Sequence, residues 1–167
     1  MSTKTDFMYG RLPLILLMFG WGLFHLLIAF GNMTDYGTNF EFVKHVLSMD
    51  TIFPDSNVGY RAITYPWVHH VFYVFIILLE SLIAVFGLTA AYRFYFHRSA
   101  ESEVFSQQKK NAYIAIALGI LLWFISFSIV GAEWFSMWQS AEWNAVDTAN
   151  RLLIIDAILY VLVLRIK

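Results

Sequence analysis

The chain has 167 residues and a mass of 19.4 kDa, and its 11 Lys plus Arg against 12 Asp plus Glu give a formal net charge of −1. Hydrophobic residues make up 59% and charged ones 14%, against roughly 45–50% and ~25% in soluble domains. Those proportions exclude a disordered chain and a basic nucleic-acid binder, and the lack of cysteine excludes a disulfide scaffold, which leaves a membrane protein.

A bilayer core of ~30 Å takes about 20 mostly apolar helical residues. Residues 12–31 meet that, interrupted by Pro13, Gly20, Gly22 and His25. A cleaved signal peptide is the alternative, with Ala29-Phe30-Gly31 as a small-x-small site. The apolar run exceeds the ~7–15 residues of such signals, so a retained anchor is expected. The connection 32–66 is too long and too aromatic for a simple turn. Thr38-x-x-Glu41 fits a capping box, and Phe40, Val43 and Leu47 follow at helical spacing. The pattern predicts a short amphipathic helix over about 39–48, lying at the outer interface. Pro54, Asn57 and Gly59 mark turns before the chain re-enters at Tyr65-Pro66-Trp67.

The second span, about 67–94, carries one carboxylate, Glu80, 12 residues after Val68 and 14 before Phe94. A charge at that depth costs several kcal/mol, so Glu80 is expected to face the bundle interior. At 100° per residue His69, Tyr73, Glu80, Ala84, Gly87 and Ala91 form one stripe, polar above and small-sided below, where another helix can approach. Ser126, Ser128 or Asp156 are the expected hydrogen-bond partners of Glu80. The connection 95–111 is polar and reads as a plain solvated loop.

The third span, 111–131, is followed by a connection, 132–145, that holds Trp134, Phe135, Trp138 and Trp143. An aromatic belt at headgroup level explains it. So does an ordered cap, made by both outer loops, that docks a partner or covers a pocket. The fourth span, 146–165, brings Asp147, Asn150 and Arg151 onto its outer turns, where Asp147 and Arg151 can pair or Arg151 can reach to headgroup phosphates. Asp156 aligns with Tyr160 four residues on, which predicts a hydrogen bond between them or a functional carboxyl.

Lys and Arg fix the orientation. Lys4, Arg11, Arg93, Arg98, Lys109, Lys110, Arg165 and Lys167 fall on one side, and Lys44, Arg61 and Arg151 on the other. Both termini are therefore expected in the cytoplasm. The fold class is all-α: a single membrane domain, 1–167, built as a four-helix transmembrane bundle beneath an outer cap of 32–66 and 132–145.

Three segments carry a family resemblance: Asn32-Met-Thr-Asp-Tyr-Gly-Thr-Asn39, His45-Val-Leu-Ser-Met-Asp-Thr51, and Glu133-Trp-Phe-Ser-Met-Trp-Gln-Ser140 followed by Trp143-Asn144. They resemble the bacterial predicted small integral membrane protein family, domain of unknown function 2165, over nearly the whole chain. The resemblance implies a bacterial inner-membrane protein and supplies no activity or catalytic residue.

Chemistry-bearing motifs are scarce. No phosphate-binding loop, dinucleotide fingerprint, nucleophile elbow or H-E-x-x-H occurs, and without cysteine there is no thiolate chemistry. Glu41 and His45 share a helix face as a polar pair. His25 with His69 or His70 could hold haem b only as a minor alternative, and no cofactor or metal is expected. The intramembrane polar candidates are Glu80, Asp156, Tyr160, Tyr73, His25 and His69. The cap candidates are Asp35, Tyr36, His45, Asp50, Arg61, Glu133, Trp134, Trp138, Trp143 and Arg151. Two function classes follow. One is a non-enzymatic accessory or assembly subunit of a larger membrane complex or homo-oligomer. The other is a proton, ion or quinone-like ligand site using Glu80 and Asp156.

Overall fold

Long apolar runs can satisfy their backbone in hydrocarbon only by bonding within a helix. The computed structural model accordingly is all-helical over the residues it describes, 4–167, with side chains described from Tyr9 onward. Lys4, counted above for orientation, lies outside the described side chains. The elements are α1 (Lys4–Thr34), α2 (Tyr36–Ser48), α3 (Pro66–Phe96), α4 (Ser102–Ser106), α5 (Lys110–Ile120) and α6 (Val146–Arg165). α5 runs on as a π-helix over Leu121–Trp134. Among the described residues three stretches are long and apolar enough to cross a membrane: Tyr9–Thr34, Pro66–Phe96 and Ser102–Trp134. α6, with 20 residues, is about 30 Å long but carries Asp147, Arg151 and Asp156.

α1 packs on α3, α3 on α5, and α6 on α5 and the π-helix. The small-residue stripe has a structural partner in α1. A Cβ added at Gly22 would lie 2.7 Å from the Leu88 nitrogen, and one at Gly87 would lie 3.1 Å from the Gly22 Cα. The two helices touch backbone to backbone there, which only glycine allows. Ala84 and Ala91 are buried on the same stripe, whereas Phe75, Leu78 and Val85 point outward.

The cap helix starts earlier than its sequence pattern predicts. The Asp35 N–H still donates to the Gly31 carbonyl, 2.8 Å away, so α2 follows α1 after a single residue. Asp35 takes the position before the helix, and the Thr38 hydroxyl donates to its carboxylate at 3.0 Å. The expected capping box is therefore not formed, and Glu41 is left to bind Lys44 instead. α2 ends at Met49, whose φ of 52° reverses the chain while its side chain stays buried.

The connection after α3 is not a plain solvated loop. Phe105 of α4 is fully buried and stacks on Phe94 at 5.1 Å between ring centroids. The guanidinium of buried Arg11 lies 4.0 Å above the Phe105 ring and donates to the carbonyls of Ala100 (2.7 Å), Arg98 (3.0 Å) and His97 (3.3 Å). Its Nε donates to the Lys167 carbonyl at 3.0 Å. The start of α1, the α3–α5 connection and the C-terminal residue are thus gathered at one end of the bundle, opposite α2.

Candidate functional site

Glu80 sits at the middle of the 31-residue α3 and is 2% exposed. It faces α1, where Asn32 Nδ2 donates to its Oε2 at 2.8 Å. The Asn32 backbone carbonyl in turn accepts the Tyr73 hydroxyl at 3.2 Å. Among the described residues no other group hydrogen-bonds Glu80, which leaves Oε1 without a partner. The expected serine partners are spent elsewhere: Ser126 and Ser128 donate to the carbonyls of Leu121 and Trp123, five residues back in the π register. Asn32, the residue that does bind Glu80, stands in the sequence as a polar residue just past an apolar run and carries no sign of that role.

Glu80, Asn32 and Tyr73 line a cavity of about 200 Å³, walled by Phe42, Trp123 and Phe127 and bordered by exposed Asn39 and Thr148. A second cavity, of about 260 Å³, lies between α2, α3 and the π-helix and is lined almost wholly by apolar side chains. Phe42, Val43, Ile76 and Phe127 border both.

Three histidines near this level are engaged by the protein. His25 is fully buried: its Nδ1 bonds the Trp21 carbonyl at 3.0 Å and its Nε2 receives the Trp123 indole N–H at 3.2 Å. Those partners assign the proton to Nδ1. His69 Nε2 donates to the Ile63 carbonyl at 2.6 Å, and His70 Nδ1 pairs with the Tyr36 hydroxyl at 2.8 Å. The haem alternative needs two facing imidazoles with open nitrogens, and the Nε2 atoms of His25 and His69 are both occupied.

Asp156 lies apart from Glu80. Its carboxylate is fully buried against Gly119 of α5, where a Cβ would collide with it, and neither oxygen has a hydrogen-bond partner among the described residues. The expected bond to Tyr160 is absent, because Asp156 turns into the socket left by Gly119. Tyr160 points outward, edge-on to Tyr113 at 6.3 Å. Nor does Arg151 pair with Asp147: no ion pair joins them among the described residues, and Arg151 borders a groove beside Leu16, Gly20 and Phe24 of α1.

At the α2 end the two long connections are joined. His45 Nδ1 donates to the Asp50 carboxylate at 2.8 Å, and the ring stacks on Trp143 at 4.6 Å and 12°. Thr51 donates to the Ser140 hydroxyl at 2.9 Å, and the Phe53 N–H donates to Gln139 at 3.1 Å. Arg61 donates to the Trp134 carbonyl at 3.3 Å and lies 4.9 Å above that indole. Buried Val43, Leu47, Met49, Phe135 and Met137 form a small apolar core beneath these contacts. Asp35, Asp50 and Glu133 are exposed, and Tyr36 is half-buried against Tyr73 at 4.6 Å. Glu41 holds Lys44 at 2.7 Å, and that hydrogen bond pulls its carboxyl below the usual glutamate value.

The chain belongs to the family described as predicted small integral membrane protein (DUF2165), which it matches over residues 10–166. No curated protein and no solved structure matches it.

Proposed function

We propose that this chain is a non-enzymatic four-helix protein of the bacterial inner membrane, an accessory or assembly subunit that engages a partner membrane protein through its cap. One observation carries the reading. The two long connections are pinned to each other by side-chain bonds, yet they leave Tyr60 and Trp134 exposed against Arg61 and Trp138 exposed beside Phe53. Trp, Tyr and Arg on a rigid surface are the residue types that dominate protein–protein affinity, since they bring large contact area at little ordering cost. The excess of Lys and Arg at the opposite end favours cytoplasmic termini, and α6 is long enough to complete a fourth crossing.

A C-terminally tagged chain isolated in mild detergent should bring down one foreign membrane protein at unit stoichiometry, and the pair should separate in an Arg61→Ala/Trp138→Ala variant. A homo-oligomer alone would overturn the subunit reading. A reporter active only in the cytoplasm, fused after Lys167, tests the orientation. A second reading has its own support: the Glu80 cavity is a small-molecule site in the bundle, because the buried Glu80 residue keeps one carboxyl oxygen that no described group bonds, and it borders an open space.

A further inference from the structure

We propose that the Glu80 cavity and the apolar cavity beside it form one site for a membrane-soluble hydroquinone, a flat hydroxylated ring on an apolar tail. This rests on the second reading above and gives its ligand a chemical class. Glu80 is 2% exposed, borders the cavity and has one oxygen without a partner. One N–H of the Asn32 amide is held by Glu80, and no bond among the described residues engages the amide oxygen, Oδ1. The open Glu80 and Asn32 oxygens are acceptors and the second Asn32 N–H is a donor beside them, so a group that donates and accepts at once, as a hydroxyl does, satisfies the set. A cation would also be attracted to Glu80, but burying one beside a single acid costs more than the pair returns unless every proton is bonded.

The shape of the head follows from the walls. Phe42 and Phe127 lie near-parallel, at 18° and 6.1 Å, and Trp123 packs on Phe127 at 5.1 Å. These are flat apolar faces on which an aromatic ring stacks and a branched or sugar-like head does not. The tail follows from the neighbouring cavity. Its one hydroxyl, Ser126, is already committed to the Leu121 carbonyl, and the rest of its lining is of the Val46, Phe75 and Ile125 kind. α2 closes one side of it, and on the other the exposed Phe72, Phe75 and Ile125 of two membrane-spanning stretches turn its open side towards hydrocarbon. The four residues common to both cavities make them adjoining compartments, polar on one side and apolar on the other. Cavities of about 200 and 260 Å³ are each small for a ligand, and together they fall in the ~300–1,000 Å³ range of such sites.

The test is retention of radiolabelled decylhydroquinone by nanodiscs carrying the full chain, against empty discs of the same lipid. Saturable retention at one molecule per chain is expected. The dimethyl ether of the same compound has the same ring and tail but no donor, and it should bind at least tenfold more weakly. Glu80→Leu should lower hydroquinone retention at least tenfold. Ile125→Trp, which fills the tail compartment without touching Glu80 or Asn32, should do the same, so the proposal stays testable if Glu80→Leu fails to fold. Equal binding of the ether, or unchanged binding in Ile125→Trp, overturns the hydroquinone assignment and leaves a small-molecule site of another class. If neither compound is retained, the assignment also falls. The small-molecule reading falls with it only if organic extracts of the protein taken directly in native lipid discs hold no enriched species by mass spectrometry.

Discussion

Gly22→Ala isolates what holds α1 against α3. The added Cβ would sit 2.7 Å from the Leu88 nitrogen and 3.0 Å from the Gly87 carbonyl carbon, and these are backbone atoms that cannot swing aside. Ordinary contact begins at 3.4 Å, so the helices must part by about 0.7 Å at the crossing. A gap of that size forfeits roughly a quarter to a half of each van der Waals well it opens, and a buried side chain makes some 40–60 such contacts at ~0.1–0.2 kcal/mol. For Met18 alone, fully buried beside the crossing, the loss is about 2 kcal/mol. The better helix propensity of alanine returns up to ~1 kcal/mol, and the other side chains at the crossing raise the loss again. The net cost is about 2–3 kcal/mol, within the range of overpacked cores. Gly87→Ala meets the Gly22 Cα at 3.1 Å, needs only about 0.3 Å, and should cost less than ~1 kcal/mol. Gly20→Ala meets nothing within 4 Å and should be neutral or slightly stabilising. Unfolding the refolded protein by SDS in mixed micelles, followed by tryptophan fluorescence and helical circular dichroism, ranks the three. Equal effects of Gly20→Ala and Gly22→Ala would refute the close-approach argument.

Glu80→Gln keeps a carbonyl to accept from Asn32 and should change stability by less than ~1 kcal/mol in the same assay, while Glu80→Leu strands the buried amide and should cost ~1–3 kcal/mol. Trp123→Phe keeps most of the packing but removes the donor to His25 Nε2, and a loss of ~1–2 kcal/mol is expected; a loss near zero would show that the imidazole needs no partner there. Arg11→Lys replaces a planar fork that reaches four carbonyls and stacks on Phe105, so it should cost about 2 kcal/mol and loosen the 97–109 connection to limited proteolysis. Glu41 titrates below the usual glutamate value because Lys44 bonds its charged form, so the contribution of this pair is complete above that usual value and is lost as pH falls through the lowered one. In Lys44→Met the Glu41 carboxyl carbon resonance should move back to the ordinary midpoint, and an unmoved midpoint would contradict the assignment.

The long elements were legible because period and length suffice for them. The runs at 67–94 and 146–165 become Pro66–Phe96 and Val146–Arg165. The inward direction of Glu80 and the small-residue stripe came from a wheel at 100° per residue, which holds on α3 because that helix is regular. The same wheel fails after Ile120, where the chain widens into a π-helix and Ser126 and Ser128 turn back on their own backbone. The start of α2 is not legible in the capping-box pattern because the chain enters it directly from the end of α1, through the Asp35 N–H bond to the Gly31 carbonyl and with no side-chain cap. Phe105 and Arg11 were missed for a different reason. Each is a single residue in a polar or terminal segment, and a pattern method sees a lone aromatic or a lone charge as surface. Only the folded chain brings Arg11, Phe94, Phe105 and Lys167 together.

The two carboxylates buried in the bundle show why depth and burial alone do not single out a site. Glu80 and Asp156 are both almost completely shielded, so by the cost of placing an acid in hydrocarbon they are equivalent. Their surroundings differ in what can reach them. Asp156 occupies the volume that a side chain at Gly119 would have filled, borders neither of the cavities beside α2, and has no donor on either oxygen among the described residues. It sits against Gly119 in the contact between α5 and α6, and none of the cavities described above opens onto it. Glu80 keeps one oxygen bonded to Asn32, and it has an open cavity, aromatic walls and an apolar compartment on its other side. The bond to Asn32 fixes the carboxyl in place, which lets the free oxygen present one direction to whatever enters. Gly119→Ala and Asn32→Leu therefore separate the two acids. The first should disturb α5–α6 packing by ~1–3 kcal/mol and leave hydroquinone retention intact in whatever protein folds. The second should lower retention in a bundle whose α5–α6 contact is undisturbed. Loss of retention in Gly119→Ala alone would place the site at Asp156 and reverse the argument.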